Sequence, residues 1–294
     1  MNPSLPVVVL FISSIGWGLT WLPIKYLNSQ GIEGHLLVLI AFAAAVLCLL
    51  PIFIRQRHQW LPQLNLMLLI ALFGGFANLA FQASIYYGDV IRVMILFYLL
   101  PVWSVVGGVV FLKEPIDTKR IFTVIAALLG AFLILGGFAL FKQPPGWIDL
   151  LAIGSGFAFA MNNLLFRATQ TVPVASKVTA MFAGCVVLIG GFFLFGASSV
   201  TTYTIGSLWL TILYGIFWLT LITFGTQWGV TQIQAGRASI IIVMELVVAV
   251  ISAAIILQQE LSLIEIVGGL LVVSAALIEG AREDTSLNAP PVNA

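Results

Sequence analysis

The sequence of this 294-residue chain contains little charge, because Asp, Glu, Lys and Arg make up only 8% of it while 61% is apolar. An ordinary soluble domain carries about 25% charged residues, so the composition excludes a soluble globular protein. The 12 basic and 11 acidic residues nearly cancel, to a net charge of +1. A chain of this kind has no basic surface for nucleic acid, and we exclude nucleic-acid partners.

Cysteine is also scarce. Cys48 and Cys185 both lie inside apolar runs, without the spacing of a disulfide framework or a metal site. We therefore predict no redox chemistry, no metal site and no cofactor.

Long apolar runs fill most of the sequence. A helix needs roughly 20 apolar residues to cross a bilayer, and ten runs of about that length are bounded by charges, proline or polar clusters. We number these runs as spans 1 to 10. They are residues 5–27, 35–54, 64–87, 93–112, 121–141, 147–166, 178–196, 206–228, 238–257 and 261–280. The sequence thus predicts an all-α integral membrane protein with ten transmembrane helices.

The basic residues predict how these spans are oriented. If the N terminus is cytoplasmic, nine of the 12 Lys and Arg residues fall in cytoplasmic connections, as the positive-inside rule requires. On the other side lie Lys25, Arg92 and Lys142. We therefore predict that both termini are cytoplasmic. Residues 281–294 are polar and contain proline, and we predict that they form a disordered tail.

Short landmarks recur in the same order in the two halves of the chain. The corresponding pairs are residues 16–18 and 154–156, residues 73–76 and 214–217, Arg92 and Arg237, and Glu114 and Glu260. Each half holds five spans, an odd number, so the second copy must insert upside down. We predict two inverted five-helix repeats, residues 1–142 and 143–280, of the kind that transporters use for alternating access.

These landmarks resemble those of the drug/metabolite transporter superfamily. The shared features are two five-span halves, an acidic residue that closes each fourth span, and fifth spans rich in small residues, at 126–130 and 268–271. Over residues 5–280 the chain is similar to the EamA-type ten-span transporters, and most similar to the YddG-type aromatic amino acid exporters. The resemblance implies a multi-pass protein of the bacterial inner membrane that exports amino acids and related metabolites.

Polar and indole side chains inside the spans are the candidate substrate-binding residues, since a polar group at hydrocarbon depth is costly unless it faces a partner or a watery cavity. They are Trp17, Trp21, Asn78, Gln82, Tyr98, Trp103, Asn162, Asn163, Tyr214 and Trp218. The set carries no charge, which suits an amino acid zwitterion, and its rings suit a flat solute. The alternatives are that the indoles pack in the core and that the amides tie helices together.

Two further residues have special roles in this prediction. Pro101 removes a backbone donor near the middle of span 4, which predicts a bend that acts as a hinge. Glu245 is the only acidic residue well inside a predicted span. One hypothesis is that Glu245 couples transport to a proton gradient, and the alternative is that it only holds span 9 against a neighbour.

The predicted function is that of a secondary transporter that exports aromatic and other neutral amino acids. No basic residue lies at the centre of a span, which disfavours phosphorylated solutes. The spans also lack the residue sets of an intramembrane enzyme and the charged or Gly-rich filter of a channel. An exporter of other neutral metabolites or drugs, or a channel, remains the alternative. The expected partners are small-molecule substrates and membrane lipids, and the oligomeric state stays open.

Overall fold

The computed structural model describes residues 4–32, 34–138, 144–195, 203–258 and 260–282, apart from the side chains of Tyr86 and residues 192–195. The described part is helical, with no strand. Its α-helices are α1 (Leu5–Gly18), α2 (Trp21–Ser29), α3 (Gly34–Arg55), α4 (Arg57–Trp60), α5 (Leu64–Tyr87), α6 (Val90–Phe97), α7 (Leu100–Leu112), α8 (Thr118–Ile134), α9 (Trp147–Ala168), α10 (Val174–Phe195), α11 (Ile205–Leu213), α12 (Thr220–Gln232), α13 (Ala235–Ile242), α14 (Met244–Leu257) and α15 (Leu263–Gly280). A 3₁₀ turn (Leu61–Gln63) precedes α5, and a π-helical segment (Tyr214–Leu219) joins α11 to α12.

Within the described residues, nine helical segments are long and apolar enough to cross a membrane, and they coincide with predicted spans 1 to 4 and 6 to 10. Predicted span 5 corresponds to α8, which has 17 residues and is about 26 Å long at 1.5 Å per residue. The end of that predicted span, at residues 139–141, lies outside the described residues. The tenth span therefore stays a prediction.

The surface of the bundle is strongly apolar. Large aliphatic side chains such as Leu150, Ile205, Leu221 and Leu263 each leave more than 70% of their surface exposed. Soluble monomers rarely expose large contiguous apolar patches. Helices also satisfy their backbone hydrogen bonds internally, which makes them suitable for a lipid environment. The described part of the chain therefore has the surface and the secondary structure of a multi-pass membrane protein.

The helices run back and forth between two ends of the molecule. At one end, which we call the basic end, the backbone N–H of Ala235 at the start of α13 donates to Glu114 just after α7, over 3.0 Å. At the other end, which we call the opposite end, Arg92 at the start of α6 binds Asp149 at the start of α9. Helices α6 and α13 therefore begin at different ends of the bundle.

Helices α6, α7 and α8 are followed by α13, α14 and α15, which begin 145, 144 and 145 residues later. Helix α6 begins at Val90 and α13 at Ala235, and each has eight residues. Helix α8 begins at Thr118 and α15 at Leu263, again 145 residues later. The capping residues that precede these two helices, Asp117 and Ser262, each accept a hydrogen bond from a backbone N–H in the first turn, as N-cap side chains do.

The spans that contain these helices are broken at corresponding points. Span 4 breaks between α6 and α7 at Tyr98 and Leu99, and span 9 breaks between α13 and α14 at Val243. The helices after the breaks end at Lys113 and Gln258, with φ angles of 54° and 52°. These are the only non-glycine residues with positive φ in the described part of the chain.

Each broken span packs on the first span of the other half. Helices α6 and α7 lie on α9, and α13 and α14 lie on α1. Glycines allow the helices to approach closely, because a Cβ on Gly18 would lie 2.5 Å from the carbonyl oxygen of Glu245 and a Cβ on Gly156 would lie 2.5 Å from that of Phe97. The backbone of each first span is thus in contact with the chain beside a helix break in the other half.

Helices α8 and α15 pack on each other through another pair of glycines. A Cβ on Gly130 would lie 2.6 Å from the carbonyl oxygen of Gly268, and a Cβ on Gly268 would lie 2.7 Å from that of Gly130. The contact is reciprocal, as expected for two helices related by an approximate two-fold axis.

Arg282, the last described residue, binds Asp117 and Glu279. The rest of the predicted tail, residues 283–294, lies outside the described residues. The disorder of the tail stays a prediction.

Candidate functional site

Two indoles join span 1 to span 8 near the middle of the bundle. Trp17 on α1 donates from Nε1 to the hydroxyl of Thr226 on α12, over 3.1 Å. In the other direction, Trp218 donates to the hydroxyl of Thr20 at the break between α1 and α2, also over 3.1 Å. Both indoles are half-buried. Their polar atoms are thus used between helices, while part of each ring surface stays accessible.

A third indole joins span 1 to span 9. Trp21 donates from Nε1 to the hydroxyl of Ser252 on α14, over 3.0 Å. The ammonium of Lys25 lies over the Trp21 ring, 5.8 Å from its centroid, which is within the range of a cation–π contact. The partners Thr226, Thr20 and Ser252 were not among the predicted site residues.

The breaks of spans 4 and 9 meet at a carboxyl group. Tyr98, the residue at which α6 ends, donates from its hydroxyl to Oε1 of Glu245 in the first turn of α14, over 3.0 Å. In the described part of the chain this phenol is the one polar partner of the Glu245 side chain. Pro101 is the second residue of α7, just beyond the break in span 4. Its hinge role stays a prediction.

An aromatic cluster surrounds the break in span 4. The ring of Phe97 lies 4.7 Å from that of Phe81 and 6.0 Å from that of Phe159, between centroids. Trp103 meets Phe157 edge to face at 5.7 Å. These four phenylalanines were not predicted as site residues, because a phenylalanine in an apolar run gives no signal that distinguishes it from a core residue.

The predicted amides do not come together in one pocket. Asn78 donates to the carbonyl oxygen of Gly74 on its own helix, and Gln82, one turn away, is half-buried. Asn162 donates to the sulfur of Met181 on α10, over 3.4 Å. Asn163 instead accepts a hydrogen bond from Gln227 on α12. The two adjacent asparagines therefore point to different neighbouring spans.

Tyr214, another predicted site residue, is buried in the π-helical segment, where α3 packs. Its hydroxyl forms no hydrogen bond within the described part of the chain.

The basic end is closed by buried ionic groups. Glu114 accepts from the N–H of Ala235 and lies 3.4 Å from Nε of Arg167 at the end of α9. Burial raises the pKa of the Glu114 carboxyl, although the N–H of Ala235 and the charges of Arg167 and Arg120 oppose this effect. At the same end, Arg120 on α8 lies 3.6 Å from the carboxylate of Glu279 on α15. These contacts connect spans from both halves.

Lys177 lies inside a helix and not in a connection. The sequence placed it just before predicted span 7, in a cytoplasmic connection, but α10 begins at Val174 and Lys177 is fully buried in its first turn. Its ammonium donates to the carbonyl oxygens of Phe166 and Thr169, over 2.8 and 3.1 Å. These oxygens are at the C-terminal end of α9, where the helix dipole favours a positive charge.

At the opposite end, an ion pair joins spans 4 and 6. Arg92 binds both carboxylate oxygens of Asp149, over 2.5 and 2.7 Å. The neighbouring acidic residue, Asp89, caps α6 by accepting from the backbone N–H of Arg92.

The described residues contain no group of three or more His, Cys, Asp or Glu side chains placed to hold a metal ion. The residues that meet near the middle of the bundle are three indoles, their hydroxyl partners, a phenol and one carboxyl group. This set can stack on a flat apolar group and can offer one acidic group to a cation or a proton.

Comparison with known proteins adds three findings. A model of the EamA-like transporter family matches residues 4–136, which is less than half of the chain. One protein of known crystal structure is similar over 95% of this chain and 99% of its own, with a TM-score of 0.76 and 16% identity. At that identity the likeness concerns the fold alone. No curated protein matches the chain.

Proposed function

We propose that this chain is a secondary transporter of the EamA-like type, which exports amino acids and related small metabolites across the bacterial inner membrane by alternating access. The family match over residues 4–136 supports this proposal for the first half. The nine apolar helical segments of the described residues support it for the chain as a whole.

The proposed architecture is a pair of inverted five-helix repeats, residues 1–142 and 143–280, with both termini in the cytoplasm. The spacing of 145 residues between α6 and α13, and between α8 and α15, supports the repeat. The inversion is supported by the opposite directions in which α6 and α13 enter the bundle. In this orientation the basic end is cytoplasmic, which agrees with the positive-inside rule.

The observation that carries the proposal is the unequal burial of the two broken spans. All eight residues of α13 are buried, whereas only Val93 is buried among the eight residues of α6. Two equivalent elements therefore have different environments, one packed tightly at the basic end and the other more open at the opposite end. An inverted repeat that exchanges these environments opens one side while it closes the other.

The proposed substrates are neutral or zwitterionic amino acids, aromatic ones above all. The half-buried indoles of Trp17, Trp21 and Trp218 offer ring faces near the middle of the bundle. No Lys or Arg side chain pairs with Glu245 in the described part of the chain. A phosphorylated solute would normally need Lys or Arg side chains in its site, and Lys25, over the Trp21 ring, is the one such side chain found beside the three indoles among the described residues.

The test is transport by purified protein in liposomes, with a panel of labelled amino acids and a nucleotide sugar. We expect saturable uptake of aromatic amino acids, accelerated by unlabelled substrate on the other side of the membrane. Such exchange is a property of a carrier. Flux that does not saturate would indicate a channel, and uptake of the nucleotide sugar alone would contradict the substrate class.

Glu245 is proposed to carry the proton that couples export to the proton gradient. Its position between the two breaks, with Tyr98 as its hydrogen-bond donor, supports this role. The Glu245→Gln variant should transport at a rate that no longer depends on an imposed pH gradient. Glu265→Gln is the matched control, because Glu265 lies in the exposed capping box of α15 and glutamine serves as well there. If Glu245→Gln retains the gradient dependence, Glu245 has no coupling role.

A further inference from the structure

Three buried polar side chains between spans 6 and 8 have unused hydrogen-bonding atoms. We call Asn163, Thr223 and Gln227 the amide site; their residues are 3%, 2% and 1% exposed. Nε2 of Gln227 donates to Oδ1 of Asn163, over 3.2 Å. Nδ2 of Asn163, Oε1 of Gln227 and the hydroxyl of Thr223 have no partner in the described part of the chain. The site thus retains a donor, an acceptor and a hydroxyl.

The missing partner of Thr223 is unusual on its own helix. Thr220, Thr226 and Thr231 also lie on α12, and the hydroxyl of each donates to a backbone carbonyl of the preceding turn. Thr223 is four residues before Gln227, so the two side chains share a face of the helix. Burying a polar atom without a partner destabilises a protein. If these side chains only packed the helices together, the three unpartnered polar atoms would add no stability.

The amide site extends from the basic end toward the middle of the bundle. Asn163 and Gln227 are each five residues from the end of their helix at the basic end, Ala168 in α9 and Gln232 in α12, or about 8 Å at 1.5 Å per residue. Thr223 is nine residues from Gln232, or about 14 Å. Glu245 is ten residues beyond Ala235, or about 15 Å from the same end. A solute that moves from the basic end to the middle would pass this depth.

Groups at the basic end cover the amide site on its outer side. Arg167 donates to the carbonyl oxygen of Thr231, over 3.1 Å, and Lys177 reaches the hydroxyl of the same residue, over 3.4 Å. Arg167 thus joins the end of α9 to the last turn of α12, and Lys177 joins the start of α10 to the same turn. Separation of these helices would uncover Asn163 and Gln227 first.

We infer that the amide site is a second binding site for the transported amino acid, occupied when the basic end opens. This inference rests on the proposed function. The Nδ2 group of Asn163 and the hydroxyl of Thr223 would donate to the carboxylate of the zwitterion, and Oε1 of Gln227 would accept from its ammonium group. The site itself carries no charged side chain, so it matches a zwitterion better than a solute with net charge.

The test compares Thr223→Val with Thr211→Val in inverted membrane vesicles, where the basic end faces the added substrate. Valine has the shape of threonine but no hydroxyl. Thr211 is the matched control, because it is also buried on span 8 and its hydroxyl is fully used by the carbonyl oxygen of Ser207. The probe is labelled phenylalanine, measured in inverted and in right-side-out vesicles.

We expect Thr223→Val to raise the KM for phenylalanine in inverted vesicles at least about fivefold, because the variant loses one hydrogen bond to a charged group. The KM in right-side-out vesicles should not change. Thr223→Ser, which keeps the hydroxyl, should restore the KM. The thermal stability of Thr223→Val should equal or exceed that of the unaltered protein, because an unpartnered hydroxyl is removed.

Two results would overturn the inference in different ways. If Thr223→Val and Thr211→Val give the same KM in inverted vesicles, the amide site has only a structural role and the proposed function is unaffected. If the unaltered protein transports no amino acid in either kind of vesicle, the inference and the proposed function fail together.

Discussion

The two broken spans have the same construction and opposite environments. In span 9, helix α13 is buried along its whole length, and Glu114 and Arg167 close the bundle around its first residue. In span 4, helix α6 is largely accessible, and its start is held by the ion pair between Arg92 and Asp149 and by the Asp89 cap. Helices α6 and α13 are equally long and begin 145 residues apart in the chain, and each has an arginine in its first turn, Arg92 or Arg237.

The comparison shows that two helices of equal length, each followed by a break, are buried to different extents in this structure. In the proposed alternating access, each helix would occupy both environments in turn. An account based on alternating access predicts that the two environments can be exchanged.

The glycines beneath the two breaks should be essential for transport. A Cβ on Gly18 or on Gly156 would lie 2.5 Å from a backbone carbonyl oxygen of the opposing broken span, and backbone cannot yield as a flexible side chain does. We expect Gly18→Ala and Gly156→Ala each to reduce the rate of amino acid exchange by about tenfold or more, since overpacking of this kind costs about 1–3 kcal/mol. Exchange is measured in liposomes.

The control for both glycines is Gly154→Ala. A Cβ on Gly154 would have its nearest neighbour, a ring carbon of Phe76, at 3.8 Å, which is an ordinary contact. Exchange by this variant should remain close to that of the unaltered protein. Normal transport by Gly18→Ala or Gly156→Ala would show that close contact at the breaks is not needed.

Loss of the ion pair at the basic end should open that end selectively. Arg167→Ala leaves the buried carboxyl of Glu114 without its ionic partner, which is costly. The reporter is Ile241→Cys, a buried position on α13, in a protein with Cys48 replaced by serine. If Arg167→Ala shifts the equilibrium between the closed and the open basic end by about 1 kcal/mol, we expect this cysteine to be labelled about fivefold faster. The label is a thiol reagent that does not cross membranes.

Arg92→Ala is the matched variant at the opposite end. It removes the ion pair with Asp149 and should not increase the labelling of Ile241→Cys. If both arginine variants increase labelling equally, the ion pairs stabilise the fold in general and do not hold particular ends closed.

The closed basic end should be favoured by mild acid. Burial raises the pKa of Glu114 above its ordinary value of 4.5, and exposure to water on opening would return the pKa toward that value. The closed end therefore binds a proton more readily than the open end. The proton on Glu114 stabilises the closed end relative to the open end fully below pH 4.5, and this stabilisation is lost as the pH rises through the raised pKa of Glu114.

The quantity measured is the labelling rate of Ile241→Cys divided by its rate in the unfolded protein at the same pH. We expect this ratio to be lower at pH 5 than at pH 7.5. Glu114→Gln is the control, because its amide oxygen can still accept from the N–H of Ala235 but does not titrate; its labelling ratio should not change with pH. Faster relative labelling in acid would mean that ionised Glu114 is what keeps the end closed.

The exposed ion pair at the edge of the basic end should matter least. Arg282 holds the pKa of Asp117 below its usual value through a hydrogen bond, but Asp117 is half exposed. Exposed pairs contribute about 1 kcal/mol or less, and asparagine caps a helix as well as aspartate does. Asp117→Asn should therefore lower the thermal midpoint only slightly and leave transport unchanged. A large loss of thermal stability or of transport would show that the pair between Arg282 and Asp117 also helps to close the basic end.

The sequence predicted the spans well because a long apolar run is a local property. Predicted span 3, residues 64–87, coincides with α5, and nine of the ten predicted spans overlap apolar helical segments. The breaks were harder to predict. Pro101 follows the break in span 4 and Pro23 follows the break at Thr20 in span 1, but no proline lies near the break at Val243.

Partners that come from distant parts of the chain could not be predicted. Arg92 binds Asp149, 57 residues away, rather than the neighbouring Asp89, because α6 packs on α9. The acceptors of Trp17 and Trp21 lie more than 200 residues away. Lys177 was placed outside predicted span 7 because hydropathy ends a span at a lysine, although the carbonyl groups at the end of α9 bind this ammonium inside the protein.

The most direct test of the account is to label α6 and α13 in the same experiment, with and without substrate. Ile95→Cys reports on α6 and Ile241→Cys reports on α13, each in the protein with Cys48 replaced by serine. Alternating access predicts that saturating phenylalanine changes the two labelling rates in opposite directions, faster at Ile241→Cys and slower at Ile95→Cys. Rates that rise together, or that do not respond to any transported solute, would contradict it.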